Sequence, residues 1–381
     1  MRIRGAAADA ARTTPTAAQG RRATRVTTVE LLFDLVFVVT IAQLATTVSH
    51  DPGWSSAGRA GLLLVVVWWM YDAFAWLTNQ ATPDTPAVRL LFIAAMAAFL
   101  VLSLAIPDAL AGSSVLFGVA YAVIALVHGG LFIALGGVTS ARVMLRVMPI
   151  NVGIGALIGV AGLVEGPWHT VLSLAPVALI VLAAAIARRS PFDLVAEHFV
   201  ERHGLLMIIA LGESVVSVGA GAGEHGFDTG TVLGAVLVVG VIAALWWCYF
   251  SGDDERATLA FGAVEPRRRT TAALRAFYVD HLLMLFGLVL LGAGLHLALE
   301  DALHLPTATT GWLVGAGVAL FLVGDADYRR YLGLGAWWFR AGGAAAALLV
   351  GGLAPLVPAV VVVAALGLVV VATIAVDVRR E

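Results

Sequence analysis

The run Val29-Glu30-Leu31-Leu32-Phe33-Asp34-Leu35-Val36-Phe37-Val38 sets two carboxylates one helical turn apart at the head of an otherwise apolar segment. On a helix, Glu30 and Asp34 fall about 40° apart, so both can face one partner. The apolar residues are continuous rather than alternating, which predicts a membrane-spanning helix and not a barrel strand. A carboxylate at mid-bilayer depth costs roughly 2.5 kcal/mol or more, so an acid pair there is by default a candidate functional site.

The rest of the chain agrees with that reading. Of its 381 residues 60% are hydrophobic and 13% charged, against about 25% charged in soluble proteins. Apolar runs long enough to cross about 30 Å of hydrocarbon recur throughout. The predicted fold class is all-α, a polytopic transmembrane bundle of about 12 spans (10–12). They lie near 29–49, 59–79, 88–106, 112–136, 143–164, 168–187, 198–219, 229–250, 274–298, 308–325, 334–352 and 355–376.

All 23 basic residues are arginine. With the N-terminus placed in the cytoplasm, the cytoplasmic segments and helix ends hold 22 of them, and the exterior holds only Arg59. This follows the positive-inside rule, and a miscounted central span would break the alternation. The expected location is the cytoplasmic (plasma) membrane, with both termini cytoplasmic. Residues 1–26 read as a disordered basic tail attracted to anionic headgroups, and 27–378 as the membrane domain. Cys248 is the single cysteine and lies in an apolar segment, so no intrachain disulfide forms.

A repeat is visible at a separation of six spans. Val29-Glu30 opens span 1 and Val200-Glu201 opens span 7, while Trp68-Trp69-Met70-Tyr71 in span 2 matches Trp246-Trp247-Cys248-Tyr249 in span 8. Six intervening spans preserve orientation, which predicts two parallel halves, 27–189 and 190–378. Interfacial tryptophans are common, so chance similarity is the competing reading.

Spans 1, 7 and 9 enter from the arginine-rich end and span 2 returns to it. Glu30, Asp34, Asp72, Glu201, Arg202 and the Asp280-His281 pair should therefore share one layer, with His198 in the same motif. Glu213 and Ser214 should lie deeper; Arg202 and Glu213 are about 16 Å apart along the axis and cannot pair. Each has a plainer reading. Thr27 and Glu30 fit a capping box, Glu201 and Arg202 fit an interfacial ion pair, and Asp72 and Asp280-His281 fit static helix-to-helix contacts. Asp325, Asp327, Arg329 and Arg330 read as a solvated helix end.

Other patterns carry no chemistry. Gly221-Ala222-Gly223-Glu224-His225-Gly226 matches G-x-G-x-x-G but has no preceding strand. His198-Phe199-Val200-Glu201-Arg202-His203 is one residue too long for an H-x-x-E-H zinc pattern. Gly155 and Gly159 form a small-x-x-x-small face suited to close helix packing. No metal, cofactor or nucleic-acid partner is expected; the expected partners are the lipid bilayer and a small solute or ion.

The segments Glu30-Leu31-Leu32-Phe33-Asp34-Leu35-Val36-Phe37-Val38 and His198-Phe199-Val200-Glu201-Arg202-His203-Gly204-Leu205 through Leu211-Gly212-Glu213-Ser214-Val215 together resemble the bacterial low temperature requirement A (LtrA) family. The likeness covers roughly residues 22–378. It carries over Glu30, Asp34, His198, Glu201, Arg202, Gly212, Glu213, Ser214 and His281 by motif. Leu32 stands where the family's pattern has phenylalanine, a difference of packing. The resemblance implies a polytopic bacterial membrane protein linked to growth in the cold, without implying a biochemical activity.

The leading expectation is a proton-coupled secondary transporter or ion pathway. Glu213 and Asp34 would carry protons, His281 would relay them, and Arg202 would set charge or hold an anion. An intramembrane enzyme acting on lipid-linked substrate and a non-catalytic organiser or sensor are the alternatives. The first lacks a nucleophile-plus-base pattern and a metal set, so the chain is expected not to be an enzyme.

Overall fold

The structure is a computed structural model that describes residues 25–190, 192–225, 229–300 and 302–378. The predicted basic tail, apart from its last two residues, and residues 226–228 lie outside the described residues; residues 221–225 of the G-x-G-x-x-G match, expected in a loop, instead continue the helix Ala196–His225.

Among the described residues there are twelve long helices and no strand. They are α1 Thr28–His50, α2 Trp54–Gln80, α3 Pro86–Leu104, α4 Val115–Leu135, α5 Gly137–Ala161 and α6 Pro167–Ala187. The series continues with α7 Ala196–His225, α8 Thr229–Phe250, α9 Asp280–Glu300, α10 Ala308–Leu332, α11 Trp338–Leu353 and α12 Ala359–Val378. Eleven helices are long and apolar enough to cross a membrane. The remaining one, α7, carries Glu197, Glu201 and Arg202 in its first two turns. A π-helical turn, Ala273–Val279, leads into α9, a geometry often found at functional sites. Between α11 and α12 the chain turns through a short 3-10 segment, Ala354–Leu356, as the glycines and proline there predict.

The packing order repeats with a period of six helices. In the first half α1 packs on α3, α3 on α4, α4 on α5, α5 on α6, and α6 also meets α2. In the second half α7 packs on α9, α9 on α10, α10 on α11, α11 on α12, and α12 meets α8. The closest pairs use the same device. A methyl on Gly118 of α4 would lie 2.4 Å from the Gly159 amide nitrogen of α5, and one on Gly311 of α10 would lie 2.5 Å from the Gly351 carbonyl of α11. Small residues let these backbones approach where lipid offers no hydrophobic drive. The halves meet chiefly where α1 and α2 pack against α7 and α9.

The expectation of a solvated end after residue 325 is corrected. Helix α10 runs on to Leu332 and buries Asp325 and Arg329; only Arg330 is exposed, with its guanidinium 5.2 Å from the Trp337 ring centre. The sequence pattern misled because the partners, Asp253, Arg340 and Asp377, are distant in the chain.

Candidate functional site

The α1 entry explains Glu30. Its Oε2 accepts from the Thr27 amide at 2.7 Å and the Thr27 hydroxyl at 2.8 Å, so the capping role holds. Its other oxygen points across the interface, 3.1 Å from His198 Nε2 and 3.9 Å from the Arg202 guanidinium. Both readings of Glu30 are therefore true at once. One turn on, Asp34 Oδ1 lies 2.8 Å from Arg202 and accepts from the Tyr71 hydroxyl at 2.5 Å. The Arg202 guanidinium also lies 5.7 Å from the Tyr71 ring centre, within cation–π range. Apart from half-buried Thr27, these side chains are buried.

Asp72 forms the second part of the layer. It accepts from Trp76 Nε1 at 3.0 Å and lies 3.2 Å from His203 Nε2. His203 Nδ1 is 2.8 Å from the Phe199 carbonyl, so that nitrogen carries a proton. Nε2 and the Asp72 carboxyl then share one further proton: either the acid is protonated and donates, or the ring is cationic. Asn79 braces the start of α7 by exchanging two bonds with the Val195 backbone and approaching His198 Nδ1 at 3.4 Å.

His281 reaches the layer with both nitrogens engaged. Nδ1 donates to the Ala276 carbonyl in the π-turn at 2.9 Å, and Nε2 accepts from the Tyr249 hydroxyl at 2.8 Å. Its ring centre lies 5.1 Å from that of His203. The matched Tyr71 and Tyr249 thus both donate into the polar layer, whereas Trp68 and Trp69 are buried and Trp246 and Trp247 exposed.

The remaining sequence candidates fall elsewhere. Asp280 is buried beside α10, and neither carboxyl oxygen has a hydrogen-bond partner. Glu201 is exposed, accepts from the Val26 amide at 3.2 Å, and lines a shallow cleft with Glu197, Asp254 and Glu255. It does not pair with Arg202, because adjacent residues point about 100° apart. Glu213 is half-buried, about 16 Å along α7 from Arg202. The Ser214 hydroxyl donates to the Ala210 carbonyl of its own helix at 3.4 Å. Sequence reasoning passed over Tyr71, Asn79 and His203. The signals were present: Tyr71 adjoins Asp72, and His203 closes the same motif as His198.

Two buried carboxyls, Glu30 and Asp34, face one permanent cation, Arg202. Burying an uncompensated charge is costly, so the cluster is balanced only when one more proton is held, on His198 or on an acid. Hydrogen-bonding capacity is left over as well: Asp34 Oδ2 and Arg202 Nε and Nη1 make no hydrogen bond with the protein. Every ion pair in the cluster joins α1 or α2 to α7, across the boundary between halves.

A second buried network differs on that point. Arg329 pairs with Asp253 and with Asp377 (3.1 Å), and Arg340 pairs with Asp325 (2.9 Å) and Asp377 (3.2 Å). Cys248 contributes its carbonyl to Arg340 and its thiol to Asp325, and exposed Arg256 reaches Asp253 at 3.7 Å. All of it lies within the second half. Among the described residues, no group of three His, Cys, Asp or Glu side chains is placed to hold a metal ion.

The chain is 28% identical over 319 residues to an uncharacterized protein of Rhizobium meliloti (strain 1021), covering 79% of this chain and 76% of that one. No solved structure matches. The family model described as bacterial low temperature requirement A protein (LtrA) matches residues 25–376, nearly the whole length. The chain belongs to the LtrA family.

Proposed function

We propose that this membrane protein is a proton-coupled secondary transporter or ion pathway of the bacterial cytoplasmic membrane, with both termini and the arginine-rich end in the cytoplasm. The observation that carries the reading is the surplus carboxyl of the Glu30–Asp34–Arg202 cluster, placed where the two halves meet. A group that must hold one proton to be neutral, and whose partners lie on the other half, links protonation to the fit of the halves. Movement of one half against the other would separate Arg202 and His203 from their acids and change where the protons sit. The reading assigns no catalytic chemistry to the chain.

The pathway members are Glu30, Asp34, Asp72, His198, Arg202 and His203. Glu201 and Ser214 take no part, and Glu213 acts only at a different depth from this layer. Purified protein in liposomes should show solute flux that responds to an imposed pH gradient, with Asp34→Asn abolishing that response. Flux absent across a broad solute panel under both pH and voltage gradients would refute it. A non-catalytic organiser is the second reading, and the wholly intra-half Arg329–Arg340 network is the observation that favours it for that half.

A further inference from the structure

Two cavities flank one stripe of α2 at opposite ends of the bundle. The outer one, away from the arginine-rich end, is lined by Arg59, Leu62 and Val66 of α2, Ile158 of α5, and His169 and Ser173 of α6. The inner one has Trp69, Ala73 and Trp76 of α2 against Val147 and Asn151 of α5, closed by His128 of α4. Residues 59, 62, 66, 69, 73 and 76 form one continuous heptad stripe, and 147, 151 and 158 share the facing stripe on α5. From Arg59 to Trp76 the stripe covers about 25 Å, most of a hydrocarbon core about 30 Å thick. Where the cavities would join, the Trp69 indole donates to Asn151 Oδ1 at 3.0 Å.

We infer that a solute route runs between α2 and α5–α6, and that the Trp69–Asn151 pair is its gate; this rests on the transport reading above. The gate is wired to the protonation layer through α2 itself. Trp76, on the slot side, donates to Asp72, which shares its proton with His203. Tyr278 of the π-turn packs edge-on against Trp69 (5.5 Å) and accepts at its carbonyl from Trp68. A displacement of the second half therefore pulls on the residues that flank the closure.

The lining also sets the class of solute. Its basic groups are His169 and Arg59 at the outer mouth, the latter 3.4 Å from exposed Asp51, and His128 at the inner cavity, while its one acid, Asp72, is engaged by Trp76 and His203. The inner walls are almost wholly apolar and aromatic. The occupant is a small organic anion with an apolar body.

The native chain provides its own background for a test, because its single cysteine, Cys248, is fully buried. In sided vesicles, the small impermeant anionic reagent 2-sulfonatoethyl methanethiosulfonate should modify Leu62→Cys much faster from the outer face and Ala73→Cys much faster from the inner face. Adding Asn151→Ala or Trp69→Phe, either of which deletes the gate bond, should raise labelling of Leu62→Cys from the inner face about fivefold, the shift expected from losing one neutral hydrogen bond. Benzenesulfonate should slow labelling of Ala73→Cys, and benzyltrimethylammonium should not. The route is overturned if both cysteines label faster from the same face, or if both gate variants fold and leave sidedness unchanged. The solute class is overturned if the cation protects as well as the anion. Labelling needs no flux and no proton gradient, so these outcomes stand apart from the fate of the transport reading.

Discussion

Asp34→Asn should barely change stability while abolishing proton coupling, and Arg202→Met should do the reverse damage. In the parent, Arg202 is the only permanent cation against Glu30 and Asp34 among the described residues. Asp34→Asn is isosteric and keeps an oxygen for the Tyr71 hydroxyl and the guanidinium, and it leaves one carboxyl facing one arginine. Charge then balances without an added proton, so the folded state should stay within about 1 kcal/mol of the parent. Arg202→Met leaves two carboxyls buried without their cation, a loss of roughly 3–5 kcal/mol. With an unfolding entropy of about 2.1 cal/mol/K per residue over 381 residues, that loss lowers Tm by about 4–6 °C, against about 1 °C for Asp34→Asn. Fluorescence-detected size exclusion after heating, on detergent-solubilised protein, resolves that gap. Uptake into liposomes under an inward pH gradient reads the coupling. If Asp34→Asn melts as low as Arg202→Met, both charges are needed to hold the helices together, and the proton-balance reasoning is wrong.

The other predictions separate the roles of the remaining polar and small residues. Glu201→Gln, at an exposed position, should leave melting within about 0.5 kcal/mol of the parent and uptake unchanged; loss of uptake would return Glu201 to the pathway. Arg340→Met breaks a fully buried pair with Asp325 and Asp377 and should cost roughly 3–5 kcal/mol, whereas exposed Arg330→Ala should be nearly neutral in the same melting assay. Gly118→Ala places a methyl 2.4 Å from the α5 backbone and Gly159→Ala only 3.8 Å from α4; the first should lose about 1–3 kcal/mol by overpacking and the second almost nothing.

What the sequence showed depended on whether the signal was local. Continuous apolar runs located the helices, because span length and backbone satisfaction are properties of each segment alone. The layer holding Glu30, Asp34, Asp72, His198 and Arg202 followed from helix direction and residue count. Pairing did not follow. Glu201 adjoins Arg202 in the chain but points to the surface, and Arg329 finds Asp253 and Asp377 at separations that no local pattern encodes. Glu213 attracted attention by its depth, yet the charge that balances Asp34 comes from the second turn of the same helix. His203 stood in plain view at the end of the His198 motif, but its part in the layer depends on the contact with Asp72, 131 residues away in the chain.

The two buried charge networks show why burial alone does not mark a site. Both combine arginines with aspartates away from water, and both would be costly to break. The network of Asp253, Asp325, Asp377, Arg329 and Arg340 joins the short helix Asp253–Ala263, between α8 and α9, to α10, α11 and α12, elements that already pack on one another within one half. Its ion pairs can persist unchanged through a movement of the halves, as those of a lock should. The Glu30–Asp34–Arg202 and Asp72–His203 contacts all span the seam, so on the transport reading each would change its protonation balance if the halves moved apart. An energy-coupling device needs that property. A group whose proton affinity differs between two arrangements ties proton movement to the change between them, and by linkage each biases the other by the same free energy.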